Sequence, residues 1–266
     1  MLKIVVCMKP VPDVSTRLVI AEDKKWIRDQ DLTFGPGEAD EYALETALRL
    51  AEDRGGEVIV VSLGDDRAGR VLRTGLAKGA ARAIHLADPL LDGGDEYVTA
   101  RVLGRAIAKD GGADLVLTGV QSDDLGTGVT GIMLAELLGW GHASVVIGVD
   151  PEGDRGTIRV RRELEAGRQE ILDLELPAVL TIQYGINEPR YASLKGIMAA
   201  KKKEIRVWTA GDLGFGASEV GRAGALYEVN DLLLPEQRSE VRMIAGSPAE
   251  AARTLVELLR REARAI

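Results

Sequence analysis

The stretch DLVLTGVQSDDLGTGVTGIMLAELLG, residues 114–139, decides how this chain folds. It opens with an apolar run at 115–117 that is typical of a buried strand, and residues 132–138 have the spacing of an amphipathic helix. Between them lies a small polar loop in which Gly126, Gly128 and Gly131 spell G-x-G-x-x-G. A strand that delivers such a loop onto a helix N-terminus presents backbone N–H groups to an anion. The stretch therefore predicts an α/β protein that binds a phosphate group.

The sequence before this loop alternates strand and helix patterns. Repeated alternation of this kind calls for a mainly parallel sheet with helices on both faces, which is a doubly wound, Rossmann-like α/β fold. The predicted strands are 3–8, 57–63, 82–86 and 115–118, and the predicted helices are 38–54, 67–78, 95–109 and 132–138.

After residue 139 the pattern changes. A strand at 143–149 precedes two segments, 157–164 and 169–174, which alternate apolar and charged residues on either side of a turn. Such alternation is typical of an antiparallel hairpin with one face in water. Residues 177–183 form a last apolar strand. We therefore expect an antiparallel hairpin extension on the mainly parallel sheet.

The C-terminal third has weaker patterns. Residues 208–234 show no sustained periodicity, and a stretch of that length without structure is usually disordered or lies on a partner. Ser247 and Pro248 then begin an amphipathic helix by the cap-then-proline pattern. We divide the chain into a nucleotide-binding domain, a partner-recognition loop with a basic segment, and a C-terminal arm that docks on another subunit, although packing of the arm on its own domain stays open. The boundaries are 1–184, 185–207 and 208–266.

Composition narrows the classes of function. The formal net charge of −8 argues against nucleic-acid binding, which needs a basic face. The single cysteine, Cys7, excludes an internal disulfide, and its place in an apolar run predicts a core residue rather than a nucleophile. No apolar run approaches the roughly 18 residues of a membrane span, and the N-terminus lacks a signal-peptide core. We therefore expect a cytoplasmic protein that is not membrane-embedded.

Catalytic and metal-binding motifs are scarce. The two histidines, His85 and His142, have no cysteine or histidine cluster around them, so we expect no metal site. The sequence has no nucleophile elbow, and its carboxylates are spread over helix faces. Acid–base and nucleophilic catalysis therefore find little support.

The glycine loop leaves more than one ligand class open. In an NAD-dependent oxidoreductase the first glycine directly follows the first strand, whereas here the triplet follows the fourth. No lysine follows the third glycine and no carboxylates cluster for magnesium, which counts against an ATP-hydrolysing or adenylate-sensing module. Anion contacts would come from backbone N–H groups and from Ser122, Thr127 and Thr130. Asp123 and Asp124 suit recognition of hydroxyl or amide groups, or cap the turn.

Several stretches together resemble the β (small) subunit of electron-transfer flavoprotein, over residues 3 to about 205. The resemblance implies an adenine nucleotide alpha hydrolase-like fold. It also implies an electron carrier that works as a heterodimer with an α subunit, and no stand-alone catalytic activity. The stretches are VCMKPVPD at 6–13, DEYALE at 40–45, the loop and helix at 121–140, and, as the most specific, NEPRYASL at 187–194 with IMAAKKK at 197–203.

The resemblance implies two nucleotides. FAD is held mainly by the α subunit near the interface, and the β subunit holds AMP in a structural role. Before the first helix the family commonly has Asn-Pro-Phe or Asn-Pro-Asp, whereas this chain has Gly37, Glu38 and Ala39. The asparagine and the aromatic or acidic residue that contact nucleotide at this place in the family are therefore missing here. By position, the AMP contacts would be Cys7, Gly37, Glu38, Ala39, Asp40, Leu63, Gly119, Gln121, Ser122, Asp123, Asp124, Gly126, Thr127, Gly128, Val129 and Thr130.

Electron-bifurcating members of the family carry a second FAD in place of AMP. Thr127 resembles the bifurcating loop, whereas Thr130 followed by Gly131 resembles the AMP type. We expect AMP, with the second FAD as the alternative and an NAD-dependent oxidoreductase as a more distant one.

In the family, the segment matching residues 187–200 is a recognition loop that grips partner dehydrogenases, with Leu194 as its anchor. The alternative is that Leu194 begins an ordinary buried helix. The implied partners are the α subunit, flavoprotein dehydrogenases such as acyl-CoA dehydrogenases, and the membrane ETF–quinone oxidoreductase. The expected docking residues are Asn187, Glu188, Pro189, Arg190, Tyr191, Leu194, Ile197 and Met198.

Overall fold

The computed structural model describes residues 1–13, 15, 17–30, 32–150, 156–235 and 241–266. The chain divides into two compact units, Met1–Asp231 and Leu232–Ile266, which are described separately. In chain order, the first contains β1 (Leu2–Cys7), β2 (Pro10–Pro12), β3 (Phe34–Pro36), α1 (Glu38–Arg54), β4 (Gly56–Leu63), α2 (Asp66–Lys78), β5 (Arg82–Leu86), α3 (Glu96–Lys109), β6 (Leu115–Gly119), α4 (Thr130–Leu138), β7 (Gly141–Asp150), β8 (Thr157–Glu163), β9 (Gln169–Glu175), β10 (Ala178–Ile182), α5 (Leu194–Ala200), β11 (Ile205–Trp208) and α6 (Gly221–Gly224).

The main sheet has the strand order β11-β5-β4-β1-β6-β10-β7-β8-β9. Neighbouring strands are parallel from β11 to β7, whereas the β7–β8 and β8–β9 pairs are antiparallel. Val5 of β1 is paired with Ile59 of β4 on one side and with Val116 of β6 on the other. The mainly parallel α/β sheet with an antiparallel hairpin extension, predicted from the sequence, is confirmed.

Helices cover both faces of the sheet. On one face, Leu44 of α1 and Leu72 of α2 are buried in a shared apolar cluster. On the other face, Ile107 of α3 and Leu134 of α4 belong to a second cluster. Burying each such side chain stabilises the fold by roughly 1.5–3 kcal/mol relative to leaving it exposed. Because helices cover both faces of the sheet, successive residues of the central strands are buried on both sides, and the sequences of these strands are continuously apolar.

The order of the strands creates a crevice beside β1. From β1 the chain moves outward through β4 and β5, and then returns to place β6 on the other side of β1. In an open α/β sheet, ligands bind outside the carboxyl ends of the strands at such a change of direction. The loop at 120–129 leaves the carboxyl end of β6 at this point.

Three features of the sheet go beyond the sequence prediction. β10, predicted as a last apolar strand without a position in the sheet, lies between β6 and β7 and runs parallel to both. β11, which the sequence did not suggest, is a parallel edge strand on β5. β2 and β3, which the sequence pattern does not predict, form a separate antiparallel pair. Local periodicity cannot reveal these pairings, because the neighbour of a strand depends on how the chain crosses over.

The stretch 208–234 is more ordered than its sequence predicts. Ala210, Leu213, Phe215 and Val220 are buried in the apolar cluster on the α3 face. The expectation of a structureless segment is therefore wrong for this part, and the alternative of packing on its own domain holds there. Isolated apolar anchors between glycines have no period that a pattern search could find.

In its described residues, the second unit contains one helix, α7 (Pro248–Arg261). Ser247 and Glu250 form a capping box at its N-terminus, at the place that the sequence predicts. No residue of α7 is buried in this chain, and Leu255 and Val256 on its apolar face are exposed.

Candidate functional site

Glycines around the loop after β6 allow close packing. A Cβ at Gly119 would lie 2.7 Å from the Cβ of Ala39, and one at Gly131 would lie 2.6 Å from a threonine hydroxyl of β6. Both distances are too short for real atoms, so α1 and α4 can approach β6 only because these residues are glycines. Gly126 and Gly128 have φ values of 65° and 67°, in the region that other residues rarely adopt. The G-x-G-x-x-G pattern thus shapes the loop and seats α4 on the sheet.

Asp40, in the first turn of α1, joins three elements. Its Oδ2 accepts a hydrogen bond from the backbone N of Lys9 at 2.7 Å, and its Oδ1 accepts one from the backbone N of Gly119 at 3.0 Å. The segments that follow β1 and end β6 are thereby held beside the start of α1. Burial raises the pKa of Asp40 to about 7, and the two backbone donors oppose this shift. The carboxyl group therefore holds its proton more tightly than an exposed aspartate does.

Asp123 and Asp124 hold the loop from its outer side. Oδ2 of Asp123 accepts a hydrogen bond from the backbone N of Glu38 at 2.8 Å, and its Oδ1 accepts one from the hydroxyl of Tyr184 at 2.9 Å. Gly37, the N-cap residue of α1, offers no side-chain oxygen, so Asp123 caps this helix in its place. Oδ1 of Asp124 accepts a hydrogen bond from Nζ of Lys9 at 2.7 Å. Both carboxylates therefore tie the loop to α1 and to the segments that follow β1 and β10.

A cavity of about 600 Å³ opens beside this loop, within the size range of small-molecule sites. The structure brings most of the residues predicted for the nucleotide into its wall. Glu38, Asp123 and Gly126 instead line a second cavity of about 570 Å³, while Gly37, Ala39 and Asp124 border neither. The predicted residues that line the first cavity are Cys7, Asp40, Leu63, Gly119, Gln121, Ser122, Thr127, Gly128, Val129 and Thr130.

One end of this cavity is suited to an anion. Val129, Thr130 and Gly131, at the beginning of α4, line the cavity, and the N-cap residue provides no side-chain hydrogen bond to the helix. The N–H groups of a first helical turn point away from the helix and carry partial positive charge. Hydroxyl groups of Ser122 and Thr127 add further donors. These backbone N–H and hydroxyl groups can therefore hold a phosphate group without the help of a lysine or arginine side chain.

Cys7 lies at the end of β1 in the wall of this cavity. Burial, with a smaller contribution from the charge of Asp40, raises the pKa of the Cys7 thiol to about 12. The group is therefore a neutral thiol at physiological pH. This agrees with the sequence interpretation of Cys7 as a core residue, because a nucleophilic cysteine needs a lowered pKa.

The local sequence pattern does not predict the opposite wall of the cavity. This wall comes from residues 91–96, at the start of α3, and from residues 227–229. Two polar contacts hold the second segment over the cavity. Oδ2 of Asp95 accepts a hydrogen bond from the backbone N of Leu226 at 2.6 Å, and Nζ of Lys25 donates one to the carbonyl of Val229 at 2.9 Å. Segments so far apart in the chain share no local pattern that could have identified them together.

The predicted docking segment has an inner and an outer side. Nε of Arg190 donates a hydrogen bond to Glu45 at 2.8 Å and Nη1 donates one to Glu52 at 2.6 Å, both on α1. Asn187 donates from Nδ2 to Oγ1 of Thr46 at 2.8 Å. These side chains therefore bind the segment to its own domain.

The outer side of this segment is apolar. Tyr191 is 97% exposed and Leu194, the first residue of α5, is 79% exposed. Ile197 and Met198 on the same helix are also exposed, whereas Ala200 at its end is buried. In this chain Leu194 therefore does not begin an ordinary buried helix, which was the alternative left open by the sequence.

Among the described residues, no three or more histidine, cysteine, aspartate and glutamate side chains form a group that could hold a metal ion. Likewise, none of the helices in that part of the chain is long and apolar enough to cross a membrane.

Comparisons with known proteins agree with this architecture. The family described as "Electron transfer flavoprotein domain" matches residues 26–213. The electron transfer flavoprotein subunit beta of Methylophilus methylotrophus is 37% identical over 260 residues, covering 97% of this chain and 98% of that protein. The protein of the same name from Bacillus subtilis is 35% identical over 263 residues, 98% of each chain. The one from Bos taurus is 39% identical over 216 residues, 80% of this chain and 83% of that protein. This chain belongs to the electron transfer flavoprotein β-subunit family.

Proposed function

We propose that this chain binds AMP in the cavity beside the β6–α4 loop, as a structural nucleotide of a heterodimeric electron transfer flavoprotein. A β-subunit role in electron transfer follows from its family. The heterodimer carries electrons through FAD, which is held mainly by the α subunit near the interface. The chain itself supplies the scaffold and the docking surface rather than a catalytic residue.

The anion end of the cavity is the observation that carries the AMP proposal. The N-terminus of α4 faces the cavity, and Ser122 and Thr127 line the same end. These groups suit one phosphate group. Lys9 lines the cavity as well, but its ammonium is paired with Asp124. Neutral donors, namely backbone N–H groups and hydroxyls, supply the anion contacts at this end, and they suit a single phosphate group.

The remainder of the cavity fits a nucleoside. Val61, Leu63 and Leu103 provide apolar walls against which a flat base can pack. The buried hydroxyl of Ser62 also lines the cavity and has no hydrogen-bond partner among the described residues. A buried polar atom of this kind is satisfied when a ligand supplies the partner.

FAD, when bound to the heterodimer, accepts electrons from one protein and passes them to another. In this proposal the partner proteins are flavoprotein dehydrogenases, such as acyl-CoA dehydrogenases, and an ETF–quinone oxidoreductase at the membrane. The exposed apolar side chains of Tyr191, Leu194, Ile197 and Met198 provide the docking surface. Asn187, Glu188, Pro189 and Arg190 position this surface, because Asn187 and Arg190 are bound to α1.

We also propose that α7, the helix of the C-terminal arm, docks on the α subunit and that the heterodimer works in the cytoplasm. The apolar face of α7 supports the first point, since Leu255 and Val256 are exposed in this chain. Amphipathic helices without an apolar neighbour commonly pack on a partner.

Acid extraction of the purified chain, followed by mass identification of the released nucleotide, tests the AMP proposal. AMP is the expected product. FAD would select the bifurcating alternative, in which a second flavin occupies this cavity. NAD would select the oxidoreductase alternative, and ATP an adenylate-binding module.

A further inference from the structure

Glu96 places a buried carboxylate in the wall of the nucleotide cavity. It is the first residue of α3, lines the cavity and is only 7% exposed. Its Oε2 accepts a hydrogen bond from the hydroxyl of Tyr227. Its Oε1 is buried and has no hydrogen-bond partner in the described part of the chain. A buried carboxylate oxygen without a partner is unfavourable unless a bound molecule donates a hydrogen bond to it.

The carboxylate of Asp95, the preceding residue, is engaged by the backbone N of Val98 and of Leu226. Tyr227 fixes the carboxylate through its other oxygen. The hydrogen bond to Glu96 also raises the pKa of Tyr227 to about 12, so its hydroxyl stays a donor. One carboxylate oxygen of Glu96 is therefore held in place and available.

The two sides of the cavity are chemically different. The N-terminus of α4 presents hydrogen-bond donors, whereas the unpartnered Oε1 of Glu96 presents an acceptor. A ligand that satisfies both sides carries an anion on one part and a hydrogen-bond donor on another. A nucleoside monophosphate has this arrangement, because its ribose hydroxyls and the amino group of adenine are donors.

We infer that Glu96 is a specificity-determining residue of this cavity, whose Oε1 accepts a hydrogen bond from a donor on the nucleoside part of the nucleotide. Tyr227 is a positioning residue, because it orients the carboxylate through Oε2. The inference rests on the proposed nucleotide function, and extends it by naming the group that distinguishes one nucleotide from another. A site that hydrogen-bonds a ligand donor discriminates strongly against an analogue that lacks it.

Titration calorimetry of the nucleotide-free full chain with AMP, IMP, 2′-deoxy-AMP and 3′-deoxy-AMP tests this inference. IMP replaces the adenine amino group by a carbonyl, and each deoxy analogue removes one ribose hydroxyl. We expect one of the three analogues to bind at least about tenfold more weakly than AMP, a loss typical of an unpaired buried polar group. The analogue that does so identifies the donor as the base or the ribose.

Glu96→Gln keeps the shape of the side chain but replaces one acceptor oxygen by a donor. In this variant the ratio of the affinities for AMP and for the weak analogue should shrink to about threefold or less. Tyr227→Phe should reduce this affinity ratio in part. Glu136→Gln is the matched control, because Glu136 is an exposed glutamate of α4 that does not line the cavity, and it should leave the affinity ratio unchanged.

Equal affinity of the wild-type chain for AMP and all three analogues would overturn the inference while leaving the AMP site intact. An unchanged affinity ratio in a folded Glu96→Gln variant would also overturn it. If Glu96→Gln does not fold, the affinities of the wild type and of Tyr227→Phe for AMP and its analogues still test the inference. Failure of the wild-type chain to bind AMP at all would instead remove the proposed function on which the inference rests.

Discussion

The carboxylate of Asp123 accepts a hydrogen bond from the backbone N–H of Glu38 at 2.8 Å, across 85 positions of sequence. The loop that borders the nucleotide cavity therefore caps the first helix of the fold. Gly37 precedes that helix without a side-chain oxygen, and Asp123 fills this role from a different element. The loop and the start of α1 are consequently ordered together.

Removal of this cap should destabilise the chain. Asp123→Ala should lower the free energy of unfolding by about 1 kcal/mol, the usual cost of losing a helix N-cap. Urea denaturation measures the change as a lower midpoint with the same slope. Asp123→Asn retains an acceptor oxygen and should lose less. Equal stability of Asp123→Ala and the wild type would show that this hydrogen bond does not cap α1.

A methyl group at Gly131 should separate α4 from the sheet. It would lie 2.6 Å from Oγ1 of Thr118 and 2.7 Å from Cγ2 of Thr181, both in rigid strands. Gly131→Ala should therefore cost about 1–3 kcal/mol of unfolding free energy, as overpacking commonly does. Gly35→Ala is the control, because a Cβ there meets no atom within 4 Å. Similar stabilities of the two variants, measured by urea denaturation, would contradict the close packing of α4.

Asp40 should make stability depend on pH. Its pKa in the folded chain is about 7, above the ordinary value of 3.8, because of burial. The folded state therefore binds the proton more tightly than the unfolded state. This contribution to stability is complete below about pH 4 and is lost as the pH rises towards about 7.

The test of Asp40 compares slopes rather than absolute stabilities. Between about pH 4 and pH 7, the nucleotide-free wild type should lose stability relative to Asp40→Asn, by at most about 1.4 kcal/mol per pH unit. Urea midpoints across this range measure both slopes. Parallel profiles for the two proteins would mean that Asp40 does not titrate in this window.

Leu194 should contribute to partner docking but not to folding. Because its side chain is 79% exposed, Leu194→Ala should leave the urea midpoint unchanged. Reduction of the heterodimer by a partner dehydrogenase should become about tenfold or more less efficient, as for the loss of an interface hot spot. Ile171→Ala is the matched control, since Ile171 is 67% exposed on the β8–β9 hairpin. A large loss of stability in Leu194→Ala would place the residue in the core instead.

Arg190 should hold the docking segment in its observed position. Its guanidinium contacts Glu45 and Glu52, and Arg190→Lys cannot reproduce this forked arrangement. Amide hydrogen exchange at 187–194 should become about fivefold faster, corresponding to a loss of about 1 kcal/mol. Arg159→Lys removes a comparable forked contact with Asp173 on the hairpin and should leave exchange in that segment unchanged. Unchanged exchange in Arg190→Lys would show that α1 does not hold the segment.

Periodicity predicts much of this fold because its central elements are long and continuously apolar. The predicted span of α1, 38–54, matches Glu38–Arg54 in the structure, and the strand predicted at 82–86 matches β5. By contrast, β11 is four residues long, and only its pairing with β5 defines it as a strand. The neighbours of β10 likewise depend on the route of the whole chain rather than on local pattern.

In the candidate site, too, local sequence pattern predicts some residues, whereas others depend on the route of the whole chain. Residues near Gly119 and Gly128 could be predicted because one continuous motif carries them. Glu96 and Tyr227 could not, because they meet only after α3 and the segment beyond α6 have folded onto the sheet. The sequence also suggested Arg190 as a partner contact, whereas its guanidinium is engaged by α1. A sequence motif shows that a residue type is present, but not which way its side chain points.

Nucleotide stoichiometry of the heterodimer, obtained by co-expression of this chain with an α subunit, tests the central claim most directly. Extraction and quantification should yield one AMP and one FAD per heterodimer, and the isolated β chain should retain AMP with little flavin absorbance. Two FAD and no AMP per heterodimer, or stoichiometric FAD on the isolated β chain, would contradict the assignment of this cavity to a structural AMP.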